Sequence, residues 1–216
     1  MGNFDAVIFD MDGLMVDTES MMQKEVTEIL KKMGFQPEKE KLLRLIGLGD
    51  TKTKSVLEEM IGETFQNDVF LKMLLERKKV VFQNEEIAVK KGLWELLEYL
   101  KKQNIKNIVA TGSTRKSVNL ILQRTNILKY FELLVCGDEI EKGKPFPDIF
   151  LKAVEKLNVP SERCLILEDS QNGIIAAKKA GIPVIFIKDL VMPEKQYMNT
   201  IYAQCNDLSE VIAYLK

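Results

Sequence analysis

The stretch "AVIFDMDGLMVD", residues 6–17, decides how the rest of this chain is read. Four apolar residues, Ala6 to Phe9, run without alternation into Asp10, and Asp12 and Asp17 follow. An unbroken apolar run of this length reads as a parallel strand covered on both faces. Ending such a strand in acid places charge where burial is expensive, so the acid calls for a chemical reason.

Working outward, runs of the same kind recur at "KNIVAT" (106–111), "FELLVCG" (131–137), "RCLILED" (163–169) and "IPVIFIK" (182–188). Between them lie "STRKSVNLILQRTNI" (113–127) and "FPDIFLKAVEKLN" (146–158), whose apolar residues fall three and four apart, the period of a helix. Strand and helix alternate, which predicts an α/β fold, a doubly wound parallel sheet of Rossmann-like type.

Residues 18–86 break that rhythm. "SMMQKEVTEILKKMGF" sets Met22, Val26, Ile29, Leu30 and Met33 on one helical stripe, and "DVFLKMLLERKKVVF" has a similar period. With no clear strand-like run, the segment reads as an all-helical domain inserted in the first crossover connection. The expected division is a catalytic core of residues 1–17 and 87–216 and a helical cap of residues 18–86.

Composition narrows the function. A formal net charge of -1 over 216 residues offers no basic excess for nucleic acid. No run of about 18 apolar residues appears, so no membrane span is expected. Three cysteines, Cys136, Cys164 and Cys205, form no CxxC pair and accompany no signal peptide, from which a reducing cytoplasm is expected. The chain contains no histidine, which removes the usual base of serine hydrolases and the commonest zinc ligand. A monomer is expected.

In doubly wound sheets ligands bind outside the carboxyl ends of the strands. The first strand delivers Asp10 and Asp12, the second Thr111, Gly112 and Ser113, and "RCLILEDS" delivers Glu168 and Asp169; "KGKPFPD" (142–148) places Lys144 ahead of a helix. If the strands are adjacent these groups converge. Clustered carboxylates repel one another unless a cation joins them, and hard oxygen donors without His or Cys favour Mg²⁺. Lys144 and the Thr-Gly-Ser turn suit an anion, and a phosphoryl group is the natural guest. Two unit charges about 4 Å apart interact by roughly 4 kcal/mol at an effective dielectric of about 20, and a phosphate dianion facing Asp10 is repelled by about twice that. Mg²⁺ and Lys144 offset that repulsion. Asp10, held at the strand end, suits a nucleophile that forms an aspartyl phosphate; Asp12, two residues on, suits the acid and base that serve the leaving group and then water.

These residues resemble the haloacid dehalogenase-like superfamily in its phosphatase and phosphoglucomutase branch. "FDMDG", "VATGS", "KGKPFPD" and "LILEDSQNGIIAAKKAG" look like its four motifs in order, and residues 18–86 match the position of the family's helical cap. The resemblance implies Asp10 as nucleophile, Asp12 as acid and base, Thr111 and Lys144 as phosphate holders and Asp169 as a Mg²⁺ ligand. It completes the protein's share of the metal shell with the Asp10 side chain and the Asp12 backbone carbonyl, with Glu168 as a weaker ligand. The acid at Asp12 disfavours the dehalogenases and phosphonate-cleaving members.

Competing readings fit less well. An EF-hand starting at Asp10 would need Gly at its sixth position and Glu at its twelfth, where Met21 stands. "GDEIEKGKP" has five residues between Gly137 and Gly143 where a Walker loop has four, and Pro145 where it needs Ser or Thr. The sixth residues after the cysteines are Lys142, Ser170 and Val211, none of them the Arg of a cysteine phosphatase, so the cysteines read as core. Asp17 and Glu19 in "DTES" read as helix capping.

The expected function is a Mg²⁺-dependent phosphatase acting on a small phosphorylated metabolite. The alternatives are a beta-phosphoglucomutase-type mutase and a catalytically silent binding protein. By resemblance, mutases carry a histidine soon after the first motif and an arginine in the cap loop, whereas Met22 lies near the first place and "GLGDTKT" has no arginine. Lys52 and Lys54 in "GLGDTKTK" (47–54) are the expected cap residues that reach the substrate.

Overall fold

The computed structural model describes residues 4–45, 50–62 and 65–216, with backbone only at 39, 40 and 50–52. Its six strands are β1 (Ala6–Phe9), β2 (Lys106–Thr111), β3 (Leu134–Cys136), β4 (Cys164–Glu168), β5 (Val184–Ile187) and β6 (Ala203–Cys205). They form one parallel sheet in the order β3-β2-β1-β4-β5-β6. The helices are α1 (Thr18–Lys32), α2 (Lys39–Leu42), α3 (Asp50–Ile61), α4 (Asn67–Asn84), α5 (Leu93–Gln103), α6 (Arg115–Arg124), α7 (Asp148–Leu157), α8 (Gln171–Ala180) and α9 (Lys195–Met198).

The order explains the continuous apolar runs. β1 lies between β2 and β4, with Ile8 in register with Ile108 on one side and Ile166 on the other. Ala6, Ile8, Ile108, Ala110 and Ile166 pack against Ile149, Phe150 and Ala153 of α7 and Ile174 and Ala177 of α8. The residues between them, Val7, Phe9, Val109, Leu165 and Leu167, are equally buried, so neither face of the central strands meets water. The fold is therefore the doubly wound α/β architecture that the alternation predicts, with an inserted helical segment. Five strands are legible as apolar runs; β6 is not. It is a three-residue edge strand with Gln204 exposed, too short and too polar to leave a pattern.

The chain divides into two compact units, Met1–Asp17 with Ile87–Lys216, and Thr18–Glu86. Within the first unit, the segments at its two internal ends pair briefly: Val16 bridges Val89, the Asp17 N–H donates to the Ala88 carbonyl (2.9 Å) and the Lys90 N–H to that of Met15 (2.9 Å). The second unit has its own core, in which Val26, Ile29 and Leu30 of the α1 stripe meet Leu42, Leu57, Phe65 and Phe70, with Met33 packed against them. Met22, at the head of that stripe, is only half-buried. The Arg77 guanidinium clasps the Glu25 carboxylate with two hydrogen bonds of 2.6 and 2.9 Å. Of the segment 47–54, residues 47–49 and the Lys52 side chain lie outside the described residues; Lys54 is exposed.

Among the described residues no helix is long and apolar enough to cross a membrane. Cys136, Cys164 and Cys205 are free and buried, as the core reading expects. Burial pushes each thiol up to about 11, so each stays protonated and poorly nucleophilic near neutrality. At pH 8 the folded protein is expected to show negligible labelling by Ellman's reagent over a time in which all three thiols react in guanidinium. Rapid labelling of the native protein would show the cysteine sites to be open.

Candidate active site

Adjacency of β1, β2 and β4 brings the polar strand ends together. Asp10 follows β1, with its N–H donating to the Leu167 carbonyl across the sheet (3.1 Å). Its carboxylate is almost wholly buried and receives a short hydrogen bond from Lys144 Nζ. Lys144 also donates to Glu168 Oε1 and lies 5.1 Å from the centre of the Phe150 ring. Burial pushes the Asp10 carboxyl up to about 8, and Glu168 and Asp12 add to the rise while the Lys144 ammonium opposes it. Burial works against the Lys144 charge, but Asp10 and Glu168 outweigh it and hold the amine above its ordinary value. Two carboxyl groups thus share one ammonium.

Glu168 is fully buried. Its Oε2 accepts from the Asp169 N–H (3.0 Å), the Ser170 N–H (3.0 Å) and the Ser170 hydroxyl (2.9 Å), while Oε1 takes Lys144. Every contact shown for this carboxylate serves to fix it and the lysine. The room for it comes from Gly173 in the first turn of α8, where an added Cβ would stand 1.9 Å from the Glu168 carboxyl carbon. Gly173→Ala is therefore expected to destabilise the fold by about 1–3 kcal/mol, the usual cost of overpacking, measured by denaturant unfolding; an unchanged midpoint would mean that Glu168 relocates freely.

Asp12 lies two residues past Asp10 and its Oδ2 accepts from the Ser113 hydroxyl (2.7 Å) and the Thr111 hydroxyl (3.2 Å). The Ser113 N–H turns back to Thr111 Oγ1 (3.2 Å), and the Ser113 carbonyl accepts from the Gly137 N–H (2.9 Å). The two hydroxyls that the sequence allots to phosphate are thus directed at Asp12 here, with Gly112 between them in the turn. Asp169, buried at the end of β4, faces Gly13: a Cβ at Gly13 would stand 2.3 Å from Asp169 Oδ2, and Gly13 has φ +84°. Only glycine suits both the space and the backbone there.

For a metal, the strand-end donors are all oxygen: the buried Asp10 and Asp169 carboxylates, which follow the adjacent strands β1 and β4, and the Asp12 segment that follows Asp10. Hard, anionic, partly enclosed oxygens of this kind fit Mg²⁺. Among the described residues, the three side chains that bring their ligand atoms within 4.8 Å of one another are elsewhere, Cys136, Asp138 and Glu139. Their charges are already used: Glu139 pairs with Arg115 and with Lys156 (3.1 Å), and Asp138 accepts from the Arg115 N–H (3.0 Å) at the start of α6.

Sequence reasoning did not assign Ser170 or Gly173 any role, although a Ser just ahead of a helical stretch is a common N-cap. Ser170 is the N-cap of α8, accepting from the Gly173 N–H (3.1 Å). Nor did it find Lys90 and Asp189, which carry no local motif.

A family model described as haloacid dehalogenase-like hydrolase matches residues 7–187. A Thermotoga maritima protein named phosphorylated carbohydrates phosphatase is 35% identical over 182 residues, 84% of each chain. Among solved structures, a Thermotoga maritima protein provisionally named a beta-phosphoglucomutase superposes with TM-score 0.78 at 30% identity over 98% of both chains. A haloacid dehalogenase-like protein of unknown function from Agrobacterium tumefaciens reaches 0.85 over 98% of this chain and 97% of its own, at 20% identity, a likeness of fold alone. The chain belongs to the haloacid dehalogenase-like hydrolase family and is an enzyme.

Proposed function

We propose that this enzyme is a Mg²⁺-dependent phosphatase that hydrolyses a small phosphorylated metabolite through an aspartyl phosphate on Asp10, with the helical unit Thr18–Glu86 as its cap. The observation that carries the reading is the pairing of a buried Asp10, fixed by Lys144, with an Asp12 held by two hydroxyls at the same strand end. Asp10, Asp169 and the Asp12 backbone carbonyl would hold Mg²⁺. When bound, the ion neutralises the negative charge shared by the carboxylates and the phosphoryl group.

An Asp10 carboxylate oxygen attacks phosphorus as the bond to the leaving oxygen breaks, and Asp12, protonated, gives its proton to the departing alkoxide. Asp12, now ionised, takes a proton from water; that water's oxygen attacks phosphorus, the bond to Asp10 breaks, and inorganic phosphate leaves with Asp10 restored. Thr111 and Ser113 keep Asp12 aimed through both halves. Lys144 offsets the charge of the phosphoryl oxygens, and Glu168 holds Lys144.

Similarity to a phosphorylated carbohydrates phosphatase makes sugar phosphates the first substrate class to test. A panel of sugar phosphates, nucleotides and cofactor precursors, assayed for released phosphate with Mg²⁺ and again with excess EDTA, tests the reading. Turnover abolished by EDTA and restored by Mg²⁺ is expected; full turnover in metal-free buffer would overturn it.

The likeness to a protein provisionally named a beta-phosphoglucomutase keeps a mutase as the second reading. The chain lacks the histidine and the cap-loop arginine associated with that activity. β-Glucose 1-phosphate, if accepted, is therefore expected to yield inorganic phosphate. A coupled assay showing glucose 6-phosphate as the main product, stimulated by a bisphosphate primer, would reverse the assignment.

A further inference from the structure

Asp189 stands just past β5, outside the four motifs, yet its carboxylate reaches the first of them. A Cβ at Gly13 would lie 3.3 Å from Asp189 Oδ2 and 2.3 Å from Asp169 Oδ2, so both carboxylates border the same small space beside the Asp10–Asp12 turn. Like charges brought this close raise each other's energy unless a cation intervenes. On its other side Asp189 meets one. Lys90 Nζ donates to Asp189 Oδ1 at 2.6 Å and stands 3.4 Å from Asp17 Oδ1.

The Lys90–Asp189 pair is well shielded, with side chains 23% and 15% exposed, so water screens it less than a surface pair. Lys90 belongs to the short pairing with Met15 that joins the two internal ends of the core unit. Residues far apart in sequence therefore deliver one charge and its countercharge to the flank of the candidate metal site.

We propose that Asp189 is an outer carboxylate of the Mg²⁺ site and that Lys90 sets how much of its charge the site feels. Neither residue touches the reacting atoms; both are positioning residues that act on the ion through its surroundings. Outer partners of metal sites typically change affinity by about 10- to 100-fold when removed. The inference rests on the Mg²⁺ reading above. It makes a demand that a merely structural ion pair does not: the two halves of the pair must shift metal affinity in opposite directions.

Isothermal titration of the full chain with MgCl₂ alone, at fixed pH and ionic strength, measures this without any substrate. Asp189→Asn is expected to weaken Mg²⁺ binding about tenfold. Lys90→Met, which unmasks the Asp189 charge, is expected to tighten it about threefold, a direction fixed by Coulomb's law. Asp169→Asn, with an inner ligand removed, serves as the control without measurable binding. Thermal unfolding of each variant checks the fold, and Lys90→Met alone carries the test if Asp189→Asn does not fold. Wild-type binding with both variants unchanged, or shifted the same way, overturns this inference alone. No binding by the wild-type chain overturns the metal reading and this inference with it.

Discussion

Asp10→Asn is expected to cost about 10⁴-fold or more in turnover, the scale on which loss of a covalent nucleophile is felt. The change keeps the shape of the side chain and leaves an amide oxygen to accept from Lys144, so the fold is expected to survive it. What it removes is the proposed oxygen nucleophile, while the surroundings stay: a strand end fixed across the sheet to Leu167, a lysine held by Glu168, and an acid held by Thr111 and Ser113. Asp12→Asn is expected to act differently, slowing both halves of the reaction by the 10²- to 10⁴-fold typical of general acid and base catalysis. Steady-state rates on the best substrate of the panel, with circular dichroism to confirm folding, check both. An Asp10→Asn enzyme with wild-type turnover would show the nucleophile to be elsewhere.

Lys144→Met has the second large effect, and it is as much on stability as on rate. Removal of the lysine leaves Asp10 and Glu168 buried with no opposing charge between them. Breaking a buried pair from one side typically costs about 3–5 kcal/mol. The sign of its pH dependence follows from Asp10, whose carboxyl burial already pushes up to about 8 with the lysine present. An acid whose folded value is raised binds more protons folded than unfolded between its ordinary value and the raised one. Stability therefore falls as pH rises through that interval. Lys144 opposes that rise, so its removal pushes the Asp10 carboxyl higher still: both proteins lose stability in parallel up to about pH 8, and above it only the variant goes on falling. The deficit of Lys144→Met relative to the wild type is therefore expected to be larger at pH 9.5 than at pH 7, as denaturant unfolding at the two values would show. A deficit independent of pH would mean that the lost stability is packing against Phe150 and not charge.

Much of this was legible in the sequence because it is local. Continuous apolar runs report strands buried on both faces, and the helical stripe of Val26, Ile29 and Leu30 reports a separate core, since each pattern arises from neighbours in the chain. The strand-end acids were legible for the same reason. What was not legible depends on pairings at long separation. Which strands adjoin decides whether Asp10, Thr111 and Glu168 meet, and periodicity is silent on order. The direction of the Thr111 and Ser113 hydroxyls toward Asp12 is set by a contact across about 100 residues, which no spacing rule predicts. Lys90 and Asp189 are separated as widely. Glu168 is the instructive case: as a sequence position it is one more carboxylate for a metal, and in the fold its oxygens accept from Lys144, from Ser170 and from its neighbour's N–H. Gly173 shows why, because the missing Cβ that admits the Glu168 carboxylate is a property of packing and not of pattern.

The most direct test of the central claim is the fate of the phosphoryl group in the first turnover. Wild-type enzyme mixed with excess radiolabelled phosphoester and Mg²⁺, quenched in acid within milliseconds and reduced with borohydride, should yield labelled protein before reduction. After reduction, mass spectrometry of the peptide spanning residues 6–17 should show Asp10 converted to homoserine. Release of labelled phosphate with no phosphoprotein at any quench time, or conversion of a different acid, would contradict an aspartyl phosphate on Asp10.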